Sequence, residues 1–453
     1  MSSKRSSFTG KIGFVLAAAG SAVGLGNIWR FPYLAAKYGG GIFLLVYIAL
    51  SVTFGFSLMV AEIAIGRKSG KSAIEAFGSL DKRFSFLGWL AALVPVIILP
   101  YYSVIGGWVV KYFFGFVSGS AGAMAQDSYF GNYIGSVWQP LMWFAIFIGL
   151  TAVIVLFGVE KGIEKVSKVM MPILILLTAF IAIYTICSMD NAWGGVIYYI
   201  KPDFSKFSIM TVVAATGQLF YSMSLAMGIM ITFGSYMKKD ISIEKSAKQI
   251  EIFDTGVAFL AGLMIIPAVY SFSGGDEAAL AQKGAGLMFE TLPKVFDGMP
   301  GGTIIGVAFF FMVFLAALTS SISLMETIVS IFMDKFKLGR KVSCLIVLGI
   351  SVIIGVPASL GYSAWGEVKV LGMQLLDFFD FASNSVMMPI IAFLTSVFVT
   401  FILKPNTVVE EIELSGKFKW KKLYEIVIKY VAPVCILAIL ASSVLDAFGI
   451  VKI

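Results

Sequence analysis

The sequence predicts an all-α polytopic membrane protein, and its composition and apolar segments are the observations that predict this class. Of the 453 residues, 59% are hydrophobic and only 13% are charged, whereas about a quarter of the residues in soluble domains are charged. The mean hydropathy is +0.93, and the apolar residues recur in segments long enough for a helix to cross the ~30 Å hydrocarbon core of a bilayer. No linker divides the chain, so residues 1–453 are expected to form a single transmembrane domain.

Eleven apolar segments are candidates for membrane spans, since a span needs about 20 residues. They lie near residues 11–36, 41–66, 86–117, 138–157, 166–186, 210–236, 248–272, 303–333, 342–360, 370–402 and 426–446. Alternate loops are rich in lysine and arginine, for example at Lys161, Lys165, Lys335 and Lys337. By the positive-inside rule these loops and the N-terminus are cytoplasmic. The chain has no N-x-Ser/Thr sequon, which favours a bacterial inner membrane.

The composition also excludes several classes of function. The net charge of +8 is distributed over short loops, so no nucleic-acid partner is expected. Cys187, Cys344 and Cys435 lie at unrelated spacings, which indicates neither a disulfide framework nor a metal site. The chain has no histidine, and without a nucleophile–base pair or a metal-ligand pattern it is not expected to be an enzyme. A channel would need a continuous polar path, whereas the polar residues cluster near one depth.

The first span contains the most informative motif, because glycine and polar residues interrupt it at positions 19–32. Glycines occur at positions 20, 24 and 26, and Asn27 and Arg30 follow. A spanning helix satisfies its own backbone hydrogen bonds, so a break is tolerated only where it lines a polar cavity. The freed carbonyls and amides can then bind ions and zwitterions. The motif therefore predicts a transport site near the middle of the bilayer.

The sixth span contains a counterpart of this motif at residues 216–228, which are rich in glycine and serine. Interrupted spans at matching places in two halves of a chain indicate a transporter site. They predict an inverted repeat over about 11–186 and 210–402, with an extra helix at about 426–446. Small residues also allow helices to pack closely, and this alternative stays open from the residues alone.

Four motifs resemble those of the neurotransmitter:sodium symporter family. Residues 20–33 read Gly-Ser-Ala-Val-Gly-Leu-Gly-Asn-Ile-Trp-Arg-Phe-Pro-Tyr and resemble its first-span signature. Gln218-Leu-Phe-Tyr-Ser-Met-Ser-Leu, Leu318-Thr-Ser-Ser321 and Asp377-Phe-Phe-Asp380 resemble its motifs in spans six, eight and ten. The resemblance covers nearly the whole chain, and eleven spans are typical of the bacterial branch.

This resemblance implies a LeuT-like 5+5 inverted repeat with discontinuous first and sixth spans. It also implies a sodium-coupled symporter that imports a neutral, hydrophobic L-amino acid by alternating access. An amino acid exchanger or a proton-influenced antiporter on the same fold is the alternative. Neither the resemblance nor the residues predict an oligomeric state.

Two sodium sites follow from the resemblance. Na⁺ needs several oxygen ligands, few of them fully charged, so that the ion can leave again. The first site would consist of the Ala22 carbonyl, the side chains of Asn27, Ser222 and Asp254, and a carboxylate of the substrate. The second would consist of the carbonyls of Gly20, Val23 and Ala316 and the hydroxyls of Thr319 and Ser320. From the residues alone, the last two hydroxyls could also bond to their own helix.

The resemblance further implies transport that does not require chloride. Chloride-dependent relatives have a neutral polar residue where this chain has Ala258, and they bind the anion beside the first sodium. Here the carboxylate of Asp254 can offset the charge of the sodium ion directly. Transport is expected to depend on pH if Asp254 or Glu62 exchanges protons. For Glu62, a structural hydrogen-bonding role is favoured over a proton relay.

The implied substrate is an α-amino acid. The amides of Leu25 and Gly26 would bind its carboxylate, because the half-helix after the break points its N-terminal dipole there. The Tyr102 hydroxyl would be another donor, although a packing aromatic is the alternative for this residue. Amine-transporting relatives have an Asp at the position of Gly24, whereas glycine leaves room for the carboxylate of the substrate. The substrate-binding set is Ala22, Leu25, Gly26, Ile98, Tyr102, Tyr221, Ser222, Ser224, Met227, Ser320 and Leu324. Its apolar part favours a hydrophobic amino acid, but flexible Met227 and the unusual Ala226 leave the particular one open.

Charged residues near the ends of spans are the candidate gates. The resemblance implies an extracellular gate of Arg30 and Asp380, and a cytoplasmic gate of Arg5 and Asp334 with Phe8. The alternative is that these are exposed pairs at the ends of loops, which contribute at most ~1 kcal/mol.

A last candidate lies at the cytoplasmic start of the fifth span, where nine residues separate Gly162 from Pro172. Glycine weakens a helix and proline removes a hydrogen-bond donor, so this turn is expected to unwind and admit water to the second sodium site. A loop followed by the start of a helix is the alternative.

Overall fold

The computed structural model describes residues 7–275 and 285–447, and within these ranges the chain forms helices and no β-strand. Nine of the described helices are long and apolar enough to cross a membrane, and a helix pair bent by 54° makes up a tenth span. The prediction of an all-α polytopic membrane protein is therefore confirmed.

We number the spans in chain order. Span 1 is the bent pair Lys11–Ala22 and Gly26–Lys37, followed by span 2 (Gly41–Ser69), span 3 (Lys82–Val117), span 4 (Trp138–Leu156) and span 5 (Val159–Ser188). Span 6 is the pair Ile209–Ser222 and Ile229–Gly234, followed by span 7 (Ile243–Phe272), span 8 (Gly302–Phe336), span 9 (Arg340–Leu360), span 10 (Leu375–Leu403) and span 11 (Lys421–Ser442).

Shorter helices lie between the spans. They are Ala73–Leu80, Ala121–Met124, Tyr129–Ile134, Ala192–Ile200, Leu292–Gly298 and Pro405–Glu413. Several spans contain a wider π-helical turn, including Gly26–Arg30 in span 1 and Val159–Glu164 in span 5. Such turns are frequent at functional sites because they leave backbone groups less regularly paired.

Span 6 differs from the other ten predicted spans. It consists of two helices, neither of which is long enough to cross a bilayer. Its first half, Ile209–Ser222, begins with a capping box in which Ser208 and Thr211 bond each other's backbone amides. Residues 223–228 separate it from the second half. Span 6 is therefore interrupted, like span 1, near the middle of its length.

The two interrupted spans lie inside the bundle. The first half of span 1 packs against spans 5, 7 and 8, and the second half of span 6 packs against spans 2 and 8. The second half of span 1 contacts the first half of span 6. Backbone groups freed at the breaks therefore face protein and not lipid, which is the condition for tolerating them.

Candidate binding site between two interrupted helices

The break in span 1 coincides with the glycine motif. The first helix ends at Val23, whose backbone is extended (φ −75°, ψ 102°). The Gly24 N–H donates to Asn27 Oδ1 at 3.1 Å, and the Leu25 N–H donates to the Tyr102 hydroxyl at 3.5 Å. Amides that a continuous helix would bond to its own carbonyls thus bond to side chains.

The break in span 6 is longer and more contorted. Ser224, Ala226 and Gly228 all have positive φ, at 53°, 60° and 72°. The Ser224 hydroxyl donates to the Ser21 carbonyl at 3.0 Å, which ties the two breaks together. The Ala226 N–H donates to Oε1 of Glu62 at 2.8 Å. Glu62 is buried in span 2, and this bond fits the structural role expected for it, although the sequence does not predict that its partner is the break in span 6.

The two breaks enclose one cavity, to which spans 3 and 8 also contribute. Every residue predicted to bind the substrate lines it: Ala22, Leu25, Gly26, Ile98, Tyr102, Tyr221, Ser222, Ser224, Met227, Ser320 and Leu324. Ser21, Gly24, Asn27 and Ile229 line it as well. The wall is apolar on the side of Ile98, Met227 and Leu324 and polar where the backbone is broken.

Two glycines of the cavity have side chains packed directly against their backbone. A Cβ atom on Gly24 would lie 2.7 Å from Ser320 Oγ and 3.1 Å from the Tyr102 hydroxyl oxygen. A Cβ atom on Gly26 would overlap the ring of Tyr221. The glycines of the motif therefore let large side chains approach the backbone of span 1.

A buried carboxylate lies beside the cavity. Oδ1 of Asp254 accepts a hydrogen bond of 2.7 Å from Asn27 Nδ2, and Oδ2 accepts one of 3.2 Å from the Ser222 hydroxyl. Tyr47 donates to the same Oδ2 at 3.2 Å and lies 2.8 Å from Ser222 Oγ. The side chains predicted for the first sodium site therefore meet at one point, and Ala22 lines the adjacent cavity.

Tyr47 is a member of this cluster that sequence reasoning missed. It is fully buried in span 2 and lies in an apolar segment with the pattern of an ordinary packing residue. Nothing in its local sequence distinguishes it from the other tyrosines, so only its contact with Asp254 reveals it.

The residues predicted for the second sodium site lie where span 1 crosses span 8. The Ser320 hydroxyl lies 3.4 Å from the carbonyl oxygens of both Gly20 and Val23, and 3.1 Å from that of Ser21. The Thr319 hydroxyl bonds instead to carbonyls of its own helix, at 3.1 Å from Leu315 and 3.1 Å from Ala316. The Gly20 backbone faces Thr319, because a Cβ there would lie 3.2 Å from Thr319 Cβ.

The two hydroxyls on span 8 therefore behave differently. Ser320 reaches across to span 1, whereas Thr319 bonds back to its own helix, which is the alternative that the residues alone had left open. Ser320 therefore brings three of the predicted groups together, whereas Thr319 and the Ala316 carbonyl lie beside them on span 8.

The residues of the predicted extracellular gate do not form an ion pair in this structure. Arg30 lies over the Tyr221 ring, with Cζ 5.3 Å from the ring centroid. Oδ1 of Asp380 accepts hydrogen bonds from Tyr101 at 3.1 Å and from Asn384 at 2.6 Å. Each charge thus has its own polar or aromatic neighbour.

Aromatic side chains pack around Phe8 at the end of the bundle where span 1 begins. Phe8 is fully buried, with ring centroids 5.5 Å from Phe14, 5.6 Å from Phe233 and 6.2 Å from Tyr236. Asp334 accepts a 2.7 Å hydrogen bond from the Ser72 amide. Arg5, the predicted partner of Asp334, lies outside the described residues.

Two buried charge clusters near this face were not predicted. The Arg340 guanidinium bonds to the carboxylate of Glu326, which also accepts from Tyr236 at 2.9 Å. Arg67 forms a buried ion pair of 2.8 Å with Glu411. Each pair joins residues from different helices, so no local spacing in the sequence identifies it.

The segment between Gly162 and Pro172 is helical in this structure. Gly162 lies in the π-helical turn Val159–Glu164, and a Cβ atom there would overlap the carbonyl oxygen of Ile154 at the end of span 4. Pro172 lies inside the following helix. Gly162 thus has a packing role, and unwinding of this turn stays a prediction.

The fold and the site define a membrane transporter built on two interrupted helices, and the comparisons with known proteins agree. The model of the Sodium:neurotransmitter symporter family matches residues 5–123 and 130–450. The chain therefore belongs to this family, whose members are transporters and not enzymes.

Relatives in several organisms align along most of the chain. The Bacillus subtilis protein named "Uncharacterized sodium-dependent transporter YhdH" is 36% identical over 407 residues, which cover 88% of this chain and 89% of the relative. A Haemophilus influenzae protein named "Uncharacterized sodium-dependent transporter" is 30% identical over 97% of this chain and 98% of its own length. The human "Sodium- and chloride-dependent taurine transporter" is 25% identical over 90% of this chain and 73% of its own length.

A solved structure shares the fold. The crystal structure of MhsT in complex with L-phenylalanine superimposes with a TM-score of 0.88 and 35% sequence identity, covering 97% of this chain and 100% of that chain. MhsT has the LeuT-like fold, so the predicted fold is confirmed.

Proposed function

We propose that the protein is a sodium-coupled symporter that imports a neutral, hydrophobic L-amino acid by alternating access. The observation that carries this proposal is the carboxylate of Asp254, which is fully buried beside the cavity. Its hydrogen-bond partners Asn27, Tyr47 and Ser222 are all neutral. A buried charge needs a compensating partner, and a sodium ion held there with the Ala22 carbonyl would supply it.

A second sodium ion is proposed between spans 1 and 8. The carbonyls of Gly20, Val23 and Ala316 and the hydroxyls of Thr319 and Ser320 offer only neutral oxygens. Such a set binds a monovalent ion weakly enough to release it, as a transport cycle requires.

The substrate proposal rests on the chemistry of the cavity wall. The amides of Leu25 and Gly26 begin a helix, and the positive end of its dipole suits a carboxylate. The carbonyls freed at the breaks suit an ammonium group. Ile98, Met227 and Leu324 would surround an apolar side chain, and the L-phenylalanine in complex with MhsT is an amino acid with such a side chain.

We also propose that transport needs no chloride. The hydroxyls of Tyr47 and Ser222 donate to the Asp254 carboxylate, so a fixed anion already takes up donors that could otherwise hold a chloride ion. Equal uptake rates in chloride and in gluconate are expected, and a strict chloride requirement would exclude this part of the proposal.

The proposed cycle begins when the two ions and the amino acid bind from outside. The substrate carboxylate would complete the shell of the first sodium, which couples the two fluxes. Arg30 and Asp380 would then close the outer side, and Phe8, Arg5 and Asp334 would open the inner one. The N-terminus is proposed to be cytoplasmic, the location a bacterial inner membrane, and residues 11–186 and 210–402 the two inverted repeats.

The test is uptake by the purified protein in sealed liposomes. Thermal stabilisation by each of the common amino acids, in sodium and in potassium, first selects the substrate. An inward sodium gradient alone should then drive that amino acid above its equilibrium level. A need for a second amino acid inside the vesicle would indicate an exchanger, and uptake that is equal in potassium would contradict the proposal.

A matched pair of variants tests the second sodium site. Thr319→Val should weaken sodium binding by about tenfold or more, because it removes one oxygen ligand of the ion. Thr327→Val is the control, since Thr327 lies on the same helix, is also buried, and its hydroxyl donates to the Ser323 carbonyl of that helix at 2.8 Å. Equal sodium affinity in the two variants would exclude Thr319 as a ligand.

A further inference from the structure

The described part of the N-terminus is attached to the start of span 5 through one carboxylate. Glu164 ends the π-helical turn Val159–Glu164 and is only 1% exposed. Its Oε2 accepts a 2.9 Å hydrogen bond from the Thr9 amide, and its Oε1 accepts one from the Thr9 hydroxyl. Lys168, one turn further along span 5, forms an ion pair of 2.6 Å with the same Oε1.

A further contact holds Thr9 from the other side. Lys238 follows the second half of span 6, and its Nζ donates to the Thr9 carbonyl at 3.1 Å. Thr9 is thus held by Glu164 of span 5 on one side and by Lys238, just after span 6, on the other. The next residue towards the N-terminus, Phe8, is the aromatic plug of the cytoplasmic side.

Span 1 packs closely against Glu164. A Cβ atom on Gly13 would overlap its carboxylate, so the first turns of span 1 lie directly against it. If Thr9 moved away, the buried carboxylate would lose two donors at once. Lys168 would remain paired with Oε1, but Oε2 would lose the Thr9 amide, and leaving a buried charged oxygen with an unmet hydrogen bond is costly. Opening of the turn that carries Glu164 to water would offset this cost.

We infer that Glu164 is a positioning residue of the transport cycle, which couples release of the N-terminal segment to unwinding of the start of span 5. This inference rests on the proposed alternating-access function. It adds a physical link between two events on the cytoplasmic side. In the first, Phe8 leaves its aromatic packing against Phe14, Phe233 and Tyr236. In the second, the turn around Gly162 admits water towards the second sodium site. While the cytoplasmic side is closed, Glu164 holds both the N-terminal segment and the turn around Gly162 in place.

Hydrogen–deuterium exchange of the full-length protein, read by mass spectrometry without sodium or amino acid, tests the coupling. Glu164→Gln should speed exchange of the amides in residues 7–14 and in residues 159–172 together, each by about tenfold, because it removes the charged acceptor that both segments share. Glu160→Gln is the matched control, since Glu160 lies in the same turn but is exposed. It should change neither segment.

Two further variants keep the test decisive if Glu164→Gln folds poorly. Gly13→Ala should displace the carboxylate and speed exchange in both segments, whereas Gly10→Ala, which has no atom within 4 Å of the added Cβ, should not. Thr9→Val removes one hydroxyl donor and should speed exchange in residues 159–172 of the wild type but not of the Glu164→Gln variant.

The outcomes separate this inference from the proposed function. Faster exchange in only one segment, no change in either, or an equal effect of Thr9→Val in both backgrounds would overturn the role of Glu164. Failure of sodium-driven uptake in the wild type would overturn the proposed function instead, because the exchange measurement needs neither ion nor substrate.

Discussion

The breaks in spans 1 and 6 face each other, but they are maintained by different means. In span 1 the interruption is short, and it depends on space, because Gly24 has no room for a side chain beside Ser320 and Tyr102. In span 6 it extends over residues 223–228, and it depends on hydrogen bonds that hold an unfavourable backbone.

The energy of the second arrangement explains why it needs support. A residue other than glycine in the left-handed conformation costs ~1–2 kcal/mol, and both Ser224 and Ala226 adopt it. A hydrogen bond to a charged group contributes about 1.5–3 kcal/mol, which is enough to offset one such residue. The bond from the Ala226 amide to Glu62 is therefore expected to stabilise this break, whereas the break in span 1 should tolerate loss of a single hydrogen bond.

The largest effect is expected from filling the space in span 1. Gly24→Ala should lower the affinity for the amino acid about 100-fold, or ~2.7 kcal/mol, because its methyl group would press on Ser320 and on the Tyr102 hydroxyl, which is expected to donate to the substrate carboxylate. Gly217→Ala in span 6 is the control, since an added Cβ there meets no atom within 4 Å. Binding titrations of the two purified variants measure the difference.

The control variant should bind like the wild type. If Gly24→Ala also bound the amino acid with unchanged affinity, space at the first break would not determine binding, and the contrast between the two breaks would be lost.

The same contrast explains what the sequence could and could not predict. The sequence predicts the break in span 1 because the residues that cause it are neighbours in the chain. For span 6 it leaves close helix packing open as an alternative, because the strain lies on a serine and an alanine, residues that are common inside helices. Its main support, Glu62, is 164 positions away from Ala226.

The residues of the candidate site also differ in whether the sequence could predict them. The lining residues from spans 1, 6 and 8 belong to contiguous motifs that resemble a known family, so they could be assigned by position. Tyr47, by contrast, meets Asp254 across 207 positions, and Thr9 meets Glu164 across 155. Contacts between distant segments of one sequence leave no periodicity or spacing to read, so only the folded chain reveals them.

An intermediate effect is expected from removing the support of the break in span 6. Glu62→Ala should lower the free energy of unfolding by about 1–3 kcal/mol, because it leaves the Ala226 amide buried without an acceptor. Glu62→Gln should cost less, since its side-chain oxygen can still accept that hydrogen bond. Thermal unfolding of the two purified variants compares them, and an equal loss in both would mean that the negative charge, and not the acceptor, maintains the break.

The smallest effect is expected from relieving the strain itself. Ala226→Gly should raise the free energy of unfolding by up to ~1 kcal/mol, because glycine adopts a φ of about 60° without a steric penalty. Ala145→Gly is the control, since Ala145 is an exposed residue within the helix Trp138–Leu156, and there the same substitution should be destabilising by up to ~1 kcal/mol. Opposite shifts of the unfolding temperature would support strain at the second break. If both variants were destabilised alike, Ala226 would be an unstrained residue, and the difference between the two breaks would reduce to their length.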